Sequence, residues 1–424
     1  MMDFNAEFSA LSQILLEQKK YRDAIFKVNM EEKLSINSKK RLLDNVLGIL
    51  RHYFTLSFEA LSLLPYKKES DENILAIILL YHLRYIKKAS DEEIKSCYLK
   101  SFADLRLIGD QNNDFEILKK ASLNKFVIPE KLKESPIIYN SLLLEMPSFL
   151  LKTISNEFSP QIALQSSIYL HKRPTFFYAS KGKEPKVEGS ELITVPINDN
   201  EVIYKTDTPI SLSSIHQKDL YPIGYLEALA YSELPISYVE PHVMLIGLSD
   251  GFDMVPIGLR INECYQNELA CIFPGCVSFR SGNDAKYHYK LKNVSIQNCS
   301  FSLAKTYFET EKYDDVICYG SDLKIGLARK NPARLPTLKE SLIEESIKRQ
   351  INELNESSLF VKKGGYLLFI NHSIIKEETY DLINSFLNKH NDFILIKKEI
   401  IFPNQLDNDA GFYALLKKKG GKHE

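Results

Sequence analysis

VMLIGL (243–248), LACIF (269–273), VSIQN (294–298), DDVICYG (314–320) and GGYLLFI (364–370) are five short apolar runs separated by segments of helical spacing. Continuous runs of four to seven apolar residues suit strands buried on both faces, and their alternation with helices predicts a mostly parallel, doubly wound sheet. Two further strands, FILIKKEIIF (393–402) and GFYALLKKK (411–419), predict an edge hairpin closing that sheet. The fold class expected is α/β, with a Rossmann-like domain at the C-terminal end.

Upstream the texture differs. To about residue 155 the apolar spacing is helical, as in Phe4, Phe8, Leu11 and Leu15, and again in Leu42, Val46, Ile49 and Leu50. Such stripes predict five or six packed helices. Between them and the alternating region, TFFYAS, LITVPI and EVIYKT read as short strands of a small central α+β section. The boundaries expected are 1–145 for the helical domain, 146–235 for the central section and 236–424 for the Rossmann-like domain.

Composition narrows the function classes. With 54 Lys+Arg against 55 Asp+Glu the net charge is −1, so any affinity for a polyanion must come from a local patch. The six cysteines include no C-x-x-C pair, which gives no basis for a zinc knuckle or a disulfide framework. No run approaches 18 apolar residues. A cytoplasmic protein without membrane association is expected, and no DNA partner.

Three segments carry a family pattern. YDDVICYGSDLKIGLARKNPAR (313–334) resembles the F-D-x-I-L-x-D-A-P-C-S-G-x-G-x-x-R-R-x-P-D stretch of the Sun/Fmu (RsmB) family of ribosomal RNA cytosine-5 methyltransferases, sharing Asp314, Gly326, Arg329 and Pro332. KKGGYLLFINHSIIKEE (362–378) is similar to the family's K-x-G-G-x-L-V-Y-A-T-C-S-V-x-x-x-E-N segment, sharing Gly364, Gly365, Leu367, Ser373 and Glu378. EMPSFLLKTISNEF with HKRPTFF (145–177) resembles the link between the family's NusB-like helical domain and its RNA-binding section. RLLDNVLGILRHYF (41–54) and ILAIILLYHLRYI (74–86) look like two helices of that NusB-like domain.

The resemblance implies an S-adenosylmethionine-dependent enzyme acting on ribosomal RNA. Its chemistry needs a thiolate that adds to the base, a second cysteine that assists release and an acid at the base edge. Those positions fall on His372, Asp322 and Tyr319. The glycine turn of the cofactor site aligns with MLIGLSDGFDM (244–254), in which Gly247 and Gly251 remain and the family's lysine becomes Asp253. The acids expected beside the ribose and the adenine fall on or beside Pro274 and Asn298. Every catalytic position has changed type, so the expectation is a pseudoenzyme: no cofactor, unless the family activity survives with S-adenosylmethionine, and a scaffold that binds ribosomal RNA or ribosomal assembly proteins. Rival readings are a methyltransferase whose chemistry has moved to other residues and a protein–protein module without RNA affinity.

Individual residues keep two readings. His372 serves as a general base, as a metal pair with Asp322, or as a structural histidine; two ligands do not make a metal site. Lys324, Arg329, Lys330 and Arg334, together with Lys172 and Arg173, form the candidate RNA-contacting set, against solvated loop charge. Lys39, Lys40 and Arg41 extend the same question to the helical region.

Overall fold

The computed structural model describes residues 4–420 apart from 87–88, 181–184, 186, 188–190, 199–200, 212–214, 216–219, 237–238, 263 and 265. The chain divides into two compact units, one formed by residues 1–171 with 330–340, the other by 172–329 with 341–424. The segment Lys330–Glu340 therefore leaves the second unit and packs into the first, where Ala333 joins its core.

The first unit is helical. At its centre runs the helix Asp71–Tyr85, with every residue from Asn73 to His82 buried, as an apolar surface on all sides demands. Ser70 starts it by accepting a hydrogen bond from the Asn73 amide at 3.3 Å, and a capping box of Ser90 with Glu93 starts the next, Asp91–Asp104. Nine α-helices begin before residue 155 among the described residues, more than the five or six expected there, and a tenth, Pro160–Leu170, follows. The excess arises at short breaks that apolar spacing does not register, such as His52 between Ile36–Arg51 and Tyr53–Leu63. A buried polar pair, Glu7 with His82, lies inside the bundle. The Glu7 carboxylate meets His82 Nε2 at 2.8 Å and accepts a hydrogen bond from Asn45 Nδ2 at 2.6 Å.

The second unit holds two sheets. Strands β1 (Phe176–Ser180), β2 (Ile193–Pro196), β3 (Val202–Thr206) and β4 (Leu220–Pro222) pair antiparallel in the order β2-β3-β1-β4. The larger sheet contains β5 (His242–Ile246), β6 (Glu268–Phe273), β7 (Val294–Asn298), β8 (Tyr313–Tyr319), β9 (Val361–Asn371), β10 (Phe393–Ile401) and β11 (Gly411–Lys418). Its order is β10-β11-β9-β8-β5-β6-β7, with β5 to β9 parallel and β11 antiparallel to both β9 and β10. The α/β class, the mostly parallel sheet and the terminal hairpin are as expected. The chain steps outward from β5 through β6 to β7 on one side and from β8 to β9 on the other. The carboxyl ends of β5 and β8 therefore flank the topological switch point, where ligands enter sheets of this kind. Between β8 and β9 the helix Leu342–Ser358 follows Pro336 and a turn.

The Glu7 site makes a direct prediction. Glu7→Ala leaves the His82 imidazole, which is fully buried, and the Asn45 amide without their acceptor. The variant should lose about 2–3 kcal/mol of stability, read as a lower urea midpoint at unchanged slope.

Candidate functional site

The turn after β5 decides whether the switch point receives a cofactor. Gly247 has φ +87°, and a Cβ there would sit 2.4 Å from the Tyr319 carbonyl oxygen and 2.6 Å from the Phe301 ring, so only glycine fits. Phe301, from the short helix Phe301–Thr306 after β7, is buried against this glycine. Gly251 is as tightly enclosed, its added Cβ falling 2.1 Å from the Ser281 carbonyl oxygen on the helix Cys276–His288.

Each amide of this turn is already used. Gly247 and Leu248 donate to the Ile272 carbonyl at 3.2 Å each. Ser249 and Asp250 donate to the Asp253 carboxylate at 3.2 and 2.9 Å. Gly251 donates to Ser281 Oγ at 3.1 Å, Phe252 to Asp250 Oδ1 at 3.1 Å, and Asp253 to the Asp250 carbonyl at 3.3 Å. A glycine turn that holds a nucleotide-like ligand works by presenting close backbone and unspent N–H groups. Here an internal carboxylate takes that role. Burial and the neighbouring Asp250 push the Asp253 carboxyl up to about 7.

The remaining cofactor positions agree. Pro274 is exposed and carries no acid, and Asn298 donates its amide to Cys276 Sγ at 3.2 Å. Tyr319, at the end of β8, shares a hydrogen bond between hydroxyls with Tyr231, which donates onward to the Asp253 carbonyl at 3.2 Å. Burial holds both phenols well above their ordinary range. Each amide of the turn thus has an internal acceptor, and neither Pro274 nor Asn298 supplies an acid; no step is derived through S-adenosylmethionine.

Beyond β9 lies a charged cluster. His372 Nε2 faces Glu227 Oε1 at 3.2 Å, and Nδ1 faces the Ala410 carbonyl at 3.4 Å. With an acceptor on each ring nitrogen, the imidazolium is the form that satisfies both. Burial opposes that charge, but Glu227, and behind it Asp322, outweigh burial and raise His372 above 6.5. Asp322 is buried: its Oδ2 accepts from the Lys324 amide at 2.8 Å, and its Oδ1 has no donor among the described residues. Lys324 reaches this conformation at φ +54°.

Glu378, fully buried, ties the loops together. Its carboxylate accepts from Ser373 Oγ at 2.6 Å, from Gln350 Nε2 at 2.9 Å, from the Leu323 amide at 3.3 Å and from Ser346 Oγ. Burial, with help from Asp322, pushes it up to about 7. Cys318, one residue before Tyr319, is fully buried and its thiol is pushed far up by burial, which keeps it protonated. No group of three or more His, Cys, Asp or Glu able to hold a metal occurs among the described residues.

The structure thus brings Tyr319, Asp253, Gly247 and Gly251 together at the switch point and places Asp322 and His372 in the charged cluster beside β9. Among the basic set, burial differs from residue to residue. Arg329 is not a loop charge: it is 2% exposed, and its guanidinium donates to the Arg173 carbonyl at 2.5 Å and to the Asp407 carbonyl. Lys172 pairs with Asp407 at 3.0 Å, whereas Arg173 is exposed. Lys324, Lys330 and Arg334 are half-buried, and the last two belong to the helical unit. Phe177 and Tyr178 of β1, the strand that follows Lys172 and Arg173 in sequence, are core residues. Glu227, Tyr231 and Phe301 were not legible as site residues. They come from segments without a family pattern, and only the altered residues at 319 and 372 hinted that partners must exist.

No family model matches the chain, and no curated protein matches it. Solved structures do. PH0851 superposes with a TM-score of 0.75 at 17% identity over 99% of both chains. A methyltransferase homologue from Pyrococcus horikoshii gives 0.54 at 13% over 67% of this chain and 99% of that one. NSun6 from Pyrococcus horikoshii, solved with SFG, gives 0.54 at 13% over 64% and 98%. The fold of the second unit is a methyltransferase fold, and no helix among the described residues is long and apolar enough to cross a membrane.

The His372–Glu227 pair is testable by titration. A histidine raised above 6.5 contributes stability that is whole below pH 6.5 and is lost as pH climbs through its folded value. Glu227→Gln removes the charge that outweighs burial, so the His372 resonance should titrate above 6.5 in the parent protein and below it in the variant, as followed by NMR.

Proposed function

We propose that this chain is a homologue of the RNA cytosine-5 methyltransferases in which the transfer site has been converted into structure, and that it binds ribosomal RNA, or a ribosomal assembly intermediate, as a scaffold. The reading is supported above all by the imidazolium of His372 standing between Glu227 and the Ala410 carbonyl at the position that resembles the family's nucleophile. An imidazolium held by a carboxylate has no lone pair to add to a base, and imidazole lacks the leaving ability the reaction asks of sulfur. The likeness to NSun6 and to the methyltransferase homologue supports the ancestry.

For the RNA, burial redirects attention from Arg329 to cations that reach solvent. Lys39, Lys40 and Arg41 are all exposed at the start of the helix Ile36–Arg51. Arg173 is a further exposed cation on the second unit. Phosphate contacts from such side chains give affinity that falls steeply with salt.

Two outcomes are expected. The protein transfers no methyl group to cytosine of ribosomal RNA fragments, and it binds those fragments at low salt. Lys39→Glu with Lys40→Glu lowers the slope of log affinity against log salt by about two units while leaving the melting curve in place. Formation of 5-methylcytosine that is lost in His372→Ala would overturn the inactive reading. Absence of binding at low salt, or an unchanged slope in the double variant, would overturn the RNA reading.

A further inference from the structure

On the far side of the Gly251 turn lies a cleft of about 400 Å³ lined by Phe252, Ser281, Asp284, Tyr287, His288 and Tyr289. We propose that it is a binding site for a small organic cation of the alkylammonium class, distinct from the switch point. Three observations lead there.

The first is the arrangement of the rings. Phe252 and Tyr289 lie 6.3 Å apart at 78°, and His288 stands at 90° to Tyr289 at 4.9 Å. A planar base or other flat aromatic needs parallel faces to stack on. Edge-to-face rings offer no parallel pair of faces to a flat ligand, whereas a compact cation needs only one ring face at a time, and four rings line this cleft.

The second is fixity. Tyr289 is anchored by its hydroxyl to the Leu220 carbonyl at 3.1 Å and meets Tyr221 edge-on at 85°. Phe252 is pinned by the cap in which its amide donates to Asp250. Walls ordered before a ligand arrives do not lose freedom when it binds. Tyr287, at 89% exposure, is an aromatic ring left in water at the rim, where an incoming apolar cation would cover it.

The third is charge. Asp284 lines the cleft, and Ser281 carries a second carboxylate close by, donating to Asp250 Oδ1 at 3.1 Å. Lys286, on the same helix, is turned to the Val294 carbonyl at 2.6 Å. An aromatic cleft with carboxylates at its edge attracts a positive ligand with methyl or methylene groups.

Choline is the probe, and 3,3-dimethylbutan-1-ol, its neutral isostere, is the control. Titrations followed by amide shifts around 281–289 should show choline binding at least about fivefold tighter than the isostere, with Asp284→Asn and Tyr287→Ala each weakening choline by about threefold or more. Both side chains are exposed, and an unchanged melting curve certifies each variant. Equal binding of choline and isostere, absence of shifts with either, or variants without effect on choline would overturn the proposal. A trimethyllysine peptide, run against its unmodified form, separates a side-chain source of the cation from a free one: tighter binding than choline, dependent on methylation, assigns the side chain, and weaker binding assigns the free molecule.

Discussion

The Asp253 carboxylate, half-buried and turned back onto its own backbone turn, is the constraint on which the C-terminal edge of the sheet depends. A strand that ends in a glycine turn leaves several N–H groups facing the switch point, and each one that is withdrawn from water must find an acceptor. Asp253 accepts two of those bonds, Asp250 two, Ser281 one, and the Ile272 carbonyl the remaining two. Once these donors are spent internally, space for a ligand is no longer needed. Phe301 lies on Gly247, and the Tyr231 and Tyr319 hydroxyls meet above Asp253. Polar satisfaction and ring packing thus reinforce one another.

The same logic extends to β9. Asn371, His372 and Ser373 stand where a strand end would present reactive groups, yet each is bound inward. Asn371 donates to Gln350 at 2.9 Å and to the Glu378 carbonyl at 2.7 Å; Ser373 donates to Glu378; His372 faces Glu227. A buried network of this sort stabilises only when all members are partnered. Asp322, with one oxygen lacking a donor among the described residues, is its loosest member. Its negative charge raises both His372 and Glu378.

Much of the fold was legible from the sequence because its signals are local. Runs such as LACIF and DDVICYG mark strands buried on both faces, and β10 with β11 forms the terminal hairpin. The site was legible only in part. The altered types at 319, 322 and 372 could be read from the segments around them, and Ser373 and Glu378, shared with the family pattern, prove to be hydrogen-bonded to each other. Their other partners could not be read. Glu227 and Phe301 lie 145 and 54 residues from His372 and Gly247 in sequence, and no spacing rule joins them. Arg329 shows the opposite failure: charge in a polar segment suggested solvent, whereas two backbone carbonyls on distant loops claim its guanidinium and bury it. Segment Lys330–Glu340 departs to the helical unit, which no local pattern announced.

The central claim is that the turn from Gly247 to Asp253 is sealed by the protein's own groups. The most direct measurement follows the amide resonances of those seven residues while S-adenosylmethionine is added to about 1 mM, the upper end of the roughly 1 μM to 1 mM range typical of substrate constants. Unmoved resonances, with slow hydrogen exchange at the same amides, are what a sealed turn predicts. Saturable shifts at Gly247, Gly251 and Asp253, with one site per chain, would contradict it.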